Sequence, residues 1–298
     1  MFKSQLELVN YHDCFFYRSF SHYPKSRKKV SMVLNNRLIT LLNLIIFVLV
    51  LSPLTRAEIE PKNIVGIWLF DQGEGKVARD SSDNGIDGKI NGNIKWVDGK
   101  FGKALLFPGV NQNFVEVPHD DSLNLTSFSF SLWLKIEDTG NYQAPFIKTA
   151  DGQLENYSAY IMKGGDFGGK TVFWTRFTSG GPAKWGFQKF GTTILTDEKW
   201  HHLAGTYDMK SVKSYVDGVM EAEALFEGKP DFSPGSLNIG DCPGFPYSVK
   251  GIIDEVALFN IAFDEKTINT IMTEGLEGAL AISSERKLAS VWANIKTR

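Results

Sequence analysis

The sequence predicts an all-β fold, a two-sheet antiparallel jelly-roll sandwich with a short C-terminal helical tail. Three observations predict it. The run Phe128-Ser129-Phe130-Ser131-Leu132-Trp133 alternates with period 2, so that Phe128, Phe130 and Leu132 share one face and Ser129, Ser131 and Trp133 the other. Short β-branched and aromatic runs recur about every 10 to 15 residues with no long helix between them, which excludes βαβ units. Gly, Asp and Asn separate these runs, as residues that accept turn conformations do.

Residues 1–57 read as a leader. Leu38 to Leu51 is an apolar run broken only by Thr40 and Asn43, shorter than the roughly 20 residues a spanning helix needs. Lys25, Arg27, Lys28, Lys29 and Arg37 precede it, and Pro53 and Thr55-Arg56-Ala57 follow. That order is the order of a secretory signal; an uncleaved N-terminal membrane anchor is the alternative. Met32 stands just before the apolar run, so either Met1 or Met32 is the start. Both readings put the body outside the cytoplasm. The formal charge of −2 conceals an asymmetry, because the leader carries 8 basic and 2 acidic residues and the remainder 24 and 32. An acidic body excludes nucleic acid as a partner and disfavours anionic lipid; it suits Ca²⁺ and neutral glycans. Of the two cysteines, Cys14 lies in the leader, which leaves Cys242 without an internal disulfide partner.

In the body, 58–282, strands are expected over Ile64–Phe70, Ala104–Phe107, Phe114–Val117, Phe128–Ile136, Thr171–Phe177, His201–Tyr207, Val212–Val216 and Ile252–Leu258. Asp217-Gly218 between Val212–Val216 and Val219–Ala224 predicts a type I′ hairpin, whose two central residues need φ > 0. Trp200 is expected to pack between the sheets. Asp264 is an expected N-cap with Phe263 and Ile268 as a hydrophobic staple, and Gly275 is the stop. Gly278 to Ser283 reads as a linker. A second, amphipathic helix is expected over 283–298, with Leu288, Val291, Trp292 and Ile295 as a stripe that docks on this domain or builds an oligomer.

These pieces resemble a known family. Trp200-His201-His202-Leu203-Ala204-Gly205-Thr206-Tyr207-Asp208, then Tyr215-Val216-Asp217-Gly218, look like the laminin-G-like jelly roll of the concanavalin A-like lectin/glucanase superfamily. Trp68-Leu69-Phe70-Asp71, Asp80 to Gly88, Gly102 to Phe107 and Gly251-Ile252-Ile253-Asp254-Glu255-Val256 agree in order, over about Val65 to Leu276. Asp83 and Met209 depart from the family, which commonly has Gly at both places. The superfamily hosts lectins, hydrolases and adhesion modules, so the resemblance implies fold and not function.

The resemblance also implies a structural Ca²⁺ joining the early acidic loop to the late strand, through Asp80 and Asp254 with Asp83 or Asp87. Oxygen-rich loops with Gly85 and Gly88 suit that ion; the alternative is an Asx-turn loop without an ion. Catalysis has less to stand on. The Glu-x-Asp-x-x-Glu strand of retaining glucanases is missing, and Asp254 and Glu255, as strand neighbours, point to opposite faces. Glu221 and Glu223 read as a solvated edge. His201 and His202 also point apart, one beside Trp200 and one toward solvent. Among mid-chain aromatics near Gly-rich loops, Trp174 with Arg176, Trp185 and Tyr160 are the expected ligand contacts. The expected function is non-catalytic recognition, of an extracellular glycan first; a structural or adhesive protein-binding domain is the alternative, and a glycoside hydrolase comes last.

Overall fold

The computed structural model describes residues 59–150, 154–161, 170–174, 176–177, 184–185, 191–225 and 227–296; the side chains of 150, 154–156, 171–174, 176–177, 184–185 and 281–296 are outside that description. The leader, with its apolar run, also lies outside it, as do the side chains of the expected tail stripe. Among the described residues no helix is long and apolar enough to cross a membrane.

The strands in chain order are β1 (Ile64–Trp68), β2 (Val77–Ala78), β3 (Gly88–Ile90), β4 (Lys95–Asp98), β5 (Lys103–Pro108) and β6 (Val115–Val117). Then come β7 (Phe128–Ile136), β8 (Gln143–Ala150), β9 (Leu154–Ile161), β10 (Thr171–Trp174), β11 (Arg176–Phe177) and β12 (Lys184–Trp185). The last are β13 (His201–Tyr207), β14 (Ser211–Val216), β15 (Val219–Leu225), β16 (Leu237–Ile239) and β17 (Lys250–Phe259), followed by the helix α1 (Glu265–Lys296). They form two antiparallel sheets. One runs β15-β14-β13-β7-β17-β5-β4 with β1 on β17; the other runs β10-β9-β8-β16-β6-β3-β2. β11 and β12 make a separate ribbon. This is the expected sandwich.

The alternation in β7 explains the layering. Phe128, Phe130, Leu132 and Leu134 enter the core between the sheets, where Phe130 stacks on Phe146 at 5.0 Å. Gly205 on β13 leaves room for that ring, since a Cβ there would lie 2.4 Å from the Phe130 ring. The opposite face of β7 is covered as well. The first turns of α1 and the chain before them pack Ile268 and Phe263 on Ala204 and Tyr215, and Ser129 Oγ donates to Ile261 O. Covered on both faces, β7 is buried along nearly its whole length.

Local signals hold where turn or cap chemistry is at stake. Asp217 and Gly218 have φ of 49° and 78°, as a type I′ hairpin requires. Asp264 Oδ1 accepts the Thr267 N–H at 2.8 Å, which caps α1. Gly275 breaks the helix at φ 69°, ψ 170°, yet the chain resumes helix at once, so Gly278 to Ser283 is helical and not a linker. The restart has a cap from outside the helix: Glu255 Oε2 accepts the Leu276 N–H. Trp200 differs from expectation. It is half-buried and precedes the first residue of β13, whereas Trp68 and Trp133 are buried.

Candidate functional site

At one end of the sandwich three loops surround a cleft of about 700 Å³, lined by Asn91, Gly92, Asn111, Gln112, Phe114, Asp241, Pro243, Gly244 and Phe245. Asn91-Gly92 lie between β3 and β4, the 109–114 loop joins β5 to β6, and Asp241 to Phe245 follow β16. Asn113 supports the first wall from beneath: it is buried, its Oδ1 accepts the Asn93 N–H at 2.5 Å, and its Nδ2 donates to Val110 O and Asn111 O. Gly92 is required beside it, because a Cβ there would stand 2.4 Å from Asn113 Oδ1. Lys76 Nζ holds the Gly92 carbonyl at 2.7 Å.

Asp241 ties the walls together. Its Oδ2 accepts the Gln112 N–H at 2.9 Å, and its Oδ1 accepts from Cys242 N and Ser248 Oγ. Burial pushes its carboxyl above the ordinary range, and those three donors offset only part of the rise. Gln112 sits at φ 67°, which non-glycine residues seldom adopt. Ser248 Oγ also reaches Asn111 Oδ1 at 2.9 Å. The second wall continues into aromatic rings. Phe245 stacks on Tyr247 at 5.3 Å, and Tyr247 meets the edges of Tyr142 and Tyr160 at 5.4 and 6.0 Å.

The sequence-predicted contacts are placed elsewhere. Tyr160 is 6% exposed, under the 242–247 loop with Ala144, Ile147 and Cys242, so it supports the aromatic group and offers no open face of its own. Trp174 pairs with Ser158 on the neighbouring β9, and Arg176 and Trp185 are register partners across β11 and β12. The side chains of Trp174, Arg176 and Trp185 lie outside the described residues. Sequence reading missed the cleft residues themselves. The signal was present as Asn- and Gly-rich joints at strand ends, Asn91-Gly92-Asn93 and Asn111-Gln112-Asn113.

In this structure Asp80, Asp83, Asp87 and Asp254 are not gathered around one point. Asp80 is consumed locally: Oδ1 accepts from Ile67 N and Ser82 N, Oδ2 from Ser82 Oγ and Ile86 N. Asp87 Oδ1 accepts the Asp80 N–H at 2.8 Å, and Asp83 is exposed. Asp254 turns to another loop, where Oδ2 accepts from Lys100 N and Phe101 N. Among the described residues, no three His, Cys, Asp or Glu side chains stand close enough to share an ion. Within the loop the Asp80 and Asp87 carboxylates organise backbone N–H groups, Asp80 through an Asx turn on Ser82.

Three further expectations change. The simple alternation of strand neighbours does not hold at Asp254 and Glu255, because a bulge with Glu255 at φ 51° breaks the strand register there; Asp254 bonds the β4–β5 loop and Glu255 the helix restart. Burial pushes both carboxyls up to about 7. Glu221 is no solvated edge: it accepts from the N–H and hydroxyl groups of both Thr192 and Thr193, whose hydrogen bonds outweigh burial and hold its carboxyl below the ordinary range. His202 does not face solvent. It is fully buried, packs on Trp133 at 5.3 Å and bonds Ser131 Oγ through Nε2 at 2.8 Å. His201 sits between Asp217 at 2.7 Å and Asp197 at 3.0 Å.

Comparison with known proteins agrees with this architecture. Comparison with curated protein sequences finds no match. Domain 4 of AbnA, a GH43 extracellular arabinanase from Geobacillus stearothermophilus solved in complex with arabinotriose, aligns with a TM-score of 0.54 and 25% identity, covering 71% of this chain and 98% of that one. The binding domain of Paraclostridial Mosquitocidal Protein 1 aligns with a TM-score of 0.57 at 14% identity, covering 71% and 52%. The binding domain of botulinum neurotoxin DC, solved with rat synaptotagmin II, gives 0.54 at 15%, covering 71% and 51%. This chain therefore spans about half the length of the two toxin domains, and at that identity the likeness is one of fold. A family model of the laminin G type, described as the Concanavalin A-like lectin/glucanases superfamily, matches residues 109–269. That match takes in more than half of the 298 residues, and the chain belongs to the laminin-G-like members of the concanavalin A-like lectin/glucanase superfamily.

Proposed function

We propose that this chain is an exported, non-catalytic carbohydrate-recognition module that holds a glycan in the cleft between the 91–92, 109–114 and 241–245 loops. The observation that carries the reading is the make-up of the cleft. Amide groups of Asn91, Asn111 and Gln112 stand with the rings of Phe114 and Phe245 around one cavity. Planar amides can donate to and accept from neighbouring sugar hydroxyls, and aromatic rings cover the apolar C–H faces of a sugar. The walls are fixed before a ligand arrives, through Asp241 and Asn113, which lowers the ordering cost of binding.

Catalysis is left out for a chemical reason. A glycosidase needs two carboxyl groups flanking the scissile bond. Asp241 is the single carboxylate among the lining residues, and three hydrogen bonds already occupy it. The arabinotriose held by the arabinanase domain supports a glycan ligand, since the two chains are alike over nearly all of that domain.

The test is affinity electrophoresis of the folded protein through gels that contain single neutral polysaccharides, wild type beside Gln112→Ala and Asn111→Ala. Wild type should be retarded by at least one polysaccharide, and both variants less so. A folded wild type that no glycan retards sinks the proposal and leaves a protein-binding module as the better reading.

A further inference from the structure

The cleft does not end at Phe245. That ring lines the cavity and also stacks on Tyr247 at 18° between planes, and Tyr142 stands edge-on to the same Tyr247. Phe245, Tyr247 and Tyr142 are each only half-buried, although they touch one another and sit on a fully buried base of Ala144, Ile147 and Cys242. Neighbouring half-exposed rings are uncommon on a surface that binds nothing. The ledge is also pinned. Ala144 N–H donates to Tyr247 O at 2.8 Å, Asn141 Nδ2 donates to Pro246 O at 2.8 Å, and Phe245 N–H closes a turn on Cys242 O at 3.0 Å. A fixed aromatic surface binds at low entropic cost.

Charge narrows the ligand. The cleft lining contains no Lys, Arg or His, and its one ionisable group is the Asp241 carboxyl. The nearby Lys76 amine is spent on the Gly92 carbonyl. An anionic sugar would lose its hydration there without gaining a cationic partner.

Resting on the glycan reading above, we infer that Phe245, Tyr247 and Tyr142 form a second subsite which continues the cleft, so that the site takes several consecutive units of a neutral polysaccharide chain and not a single sugar or an acidic polymer. The cleft hydrogen-bonds one part of the chain, and the ledge stacks the next.

Isothermal titration with arabinose, arabinotriose and longer arabino-oligosaccharides, with polygalacturonate as the acidic polymer, tests this. Wild-type affinity should rise with chain length, and polygalacturonate should not bind. Tyr142→Ala should lower affinity for the longest oligosaccharide about threefold to tenfold, leaving short-oligosaccharide binding unchanged. Tyr142→Leu, which keeps the bulk that covers the loop, should show the same loss and a wild-type melt. Binding without a gain from length, a Tyr142→Leu variant with wild-type length dependence, or equal binding of polygalacturonate overturns the second subsite while leaving the cleft reading standing. No binding of any arabino-oligosaccharide, or of oligosaccharides cut from whichever neutral polysaccharide retards the wild type in gels, overturns the second subsite; a wild type that no polysaccharide retards overturns both.

Discussion

Asp241 and Gln112 are 129 positions apart in the chain, and the Asp241 carboxylate accepts the Gln112 backbone N–H at 2.9 Å. With the Ser248 Oγ bond to Asn111 Oδ1 it joins the two walls of the cleft, and its acceptor meets Gln112 in a left-handed backbone conformation.

Removing the acceptor should therefore damage stability and binding together. Asp241→Ala leaves the Gln112 and Cys242 N–H groups and the Ser248 hydroxyl without this acceptor. The expected loss is about 1–3 kcal/mol in urea unfolding, with glycan retention abolished. Asp241→Asn keeps one carbonyl oxygen and should fall between. An Asp241→Ala protein that binds as wild type would show that the loops hold their geometry without the carboxylate.

The core gives a second prediction. Trp68 is fully buried and its Nε1 donates to Ile86 O at 3.1 Å, which also secures the acidic loop. Trp68→Ala should cost about 3–5 kcal/mol. Trp200, half-buried at the entry to β13, should cost within about 1.5 kcal/mol on the same change. Equal melting shifts for the two variants would refute this assignment.

Why the fold was legible and the cleft was not follows from the range of the interactions. The alternation of Phe128 to Leu134, the Asp217-Gly218 turn and the Asp264 cap each act within a few residues, so local chemistry specifies them. Asn91, Gln112, Asp241 and Phe245 meet only after the sheets have formed, and no spacing in the chain announces it. Trp200 misled because a tryptophan opening an apolar strand resembles a core residue, while its depth depends on how the chain enters β13. His202 misled because one-sided burial was assumed for a sheet that α1 covers on its outer face. Asp80 and Asp254 carried the ion-ligand pattern of the family, but the backbone donors each of them meets are set by loop folding.

Those donors lead to a third prediction. A calcium ion bound only by the folded state at 100-fold excess over its Kd would add about 2.7 kcal/mol. Since the Asp80 oxygens already accept four bonds and Asp254 faces a different loop, melts in excess calcium and in chelator should coincide. A shift of several degrees, with the ion detected by mass, would show that these carboxylates rearrange to take it.

The fourth prediction concerns acid. Burial pushes the His202 imidazole down to about 4 from 6.5, and the Asp217 carboxylate opposes this only in part. Between those values the unfolded chain binds a proton that the native state refuses, so stability rises with pH and is lost as pH falls from 6.5 to 4. A shift of that size corresponds to about 3 kcal/mol. His201 adds nothing in this window. Its bond to Asp217 raises its affinity for the proton, so it is charged in both states here, and its contribution is lost only as pH rises through the raised value. Asp254 and Glu255 act in the opposite sense, because burial raises them to about 7 and the native state then holds protons that the unfolded chain has released. Whole-protein stability sums these terms, so the informative quantity is a difference. His202→Gln keeps a hydrogen-bonding side chain toward Ser131 and removes the titration. Urea unfolding at pH 6.5 and pH 4 should show wild type losing about 3 kcal/mol more than His202→Gln. Equal losses in the two proteins would mean that His202 is protonated as readily in the fold as out of it, and that its burial against Trp133 is not maintained in solution.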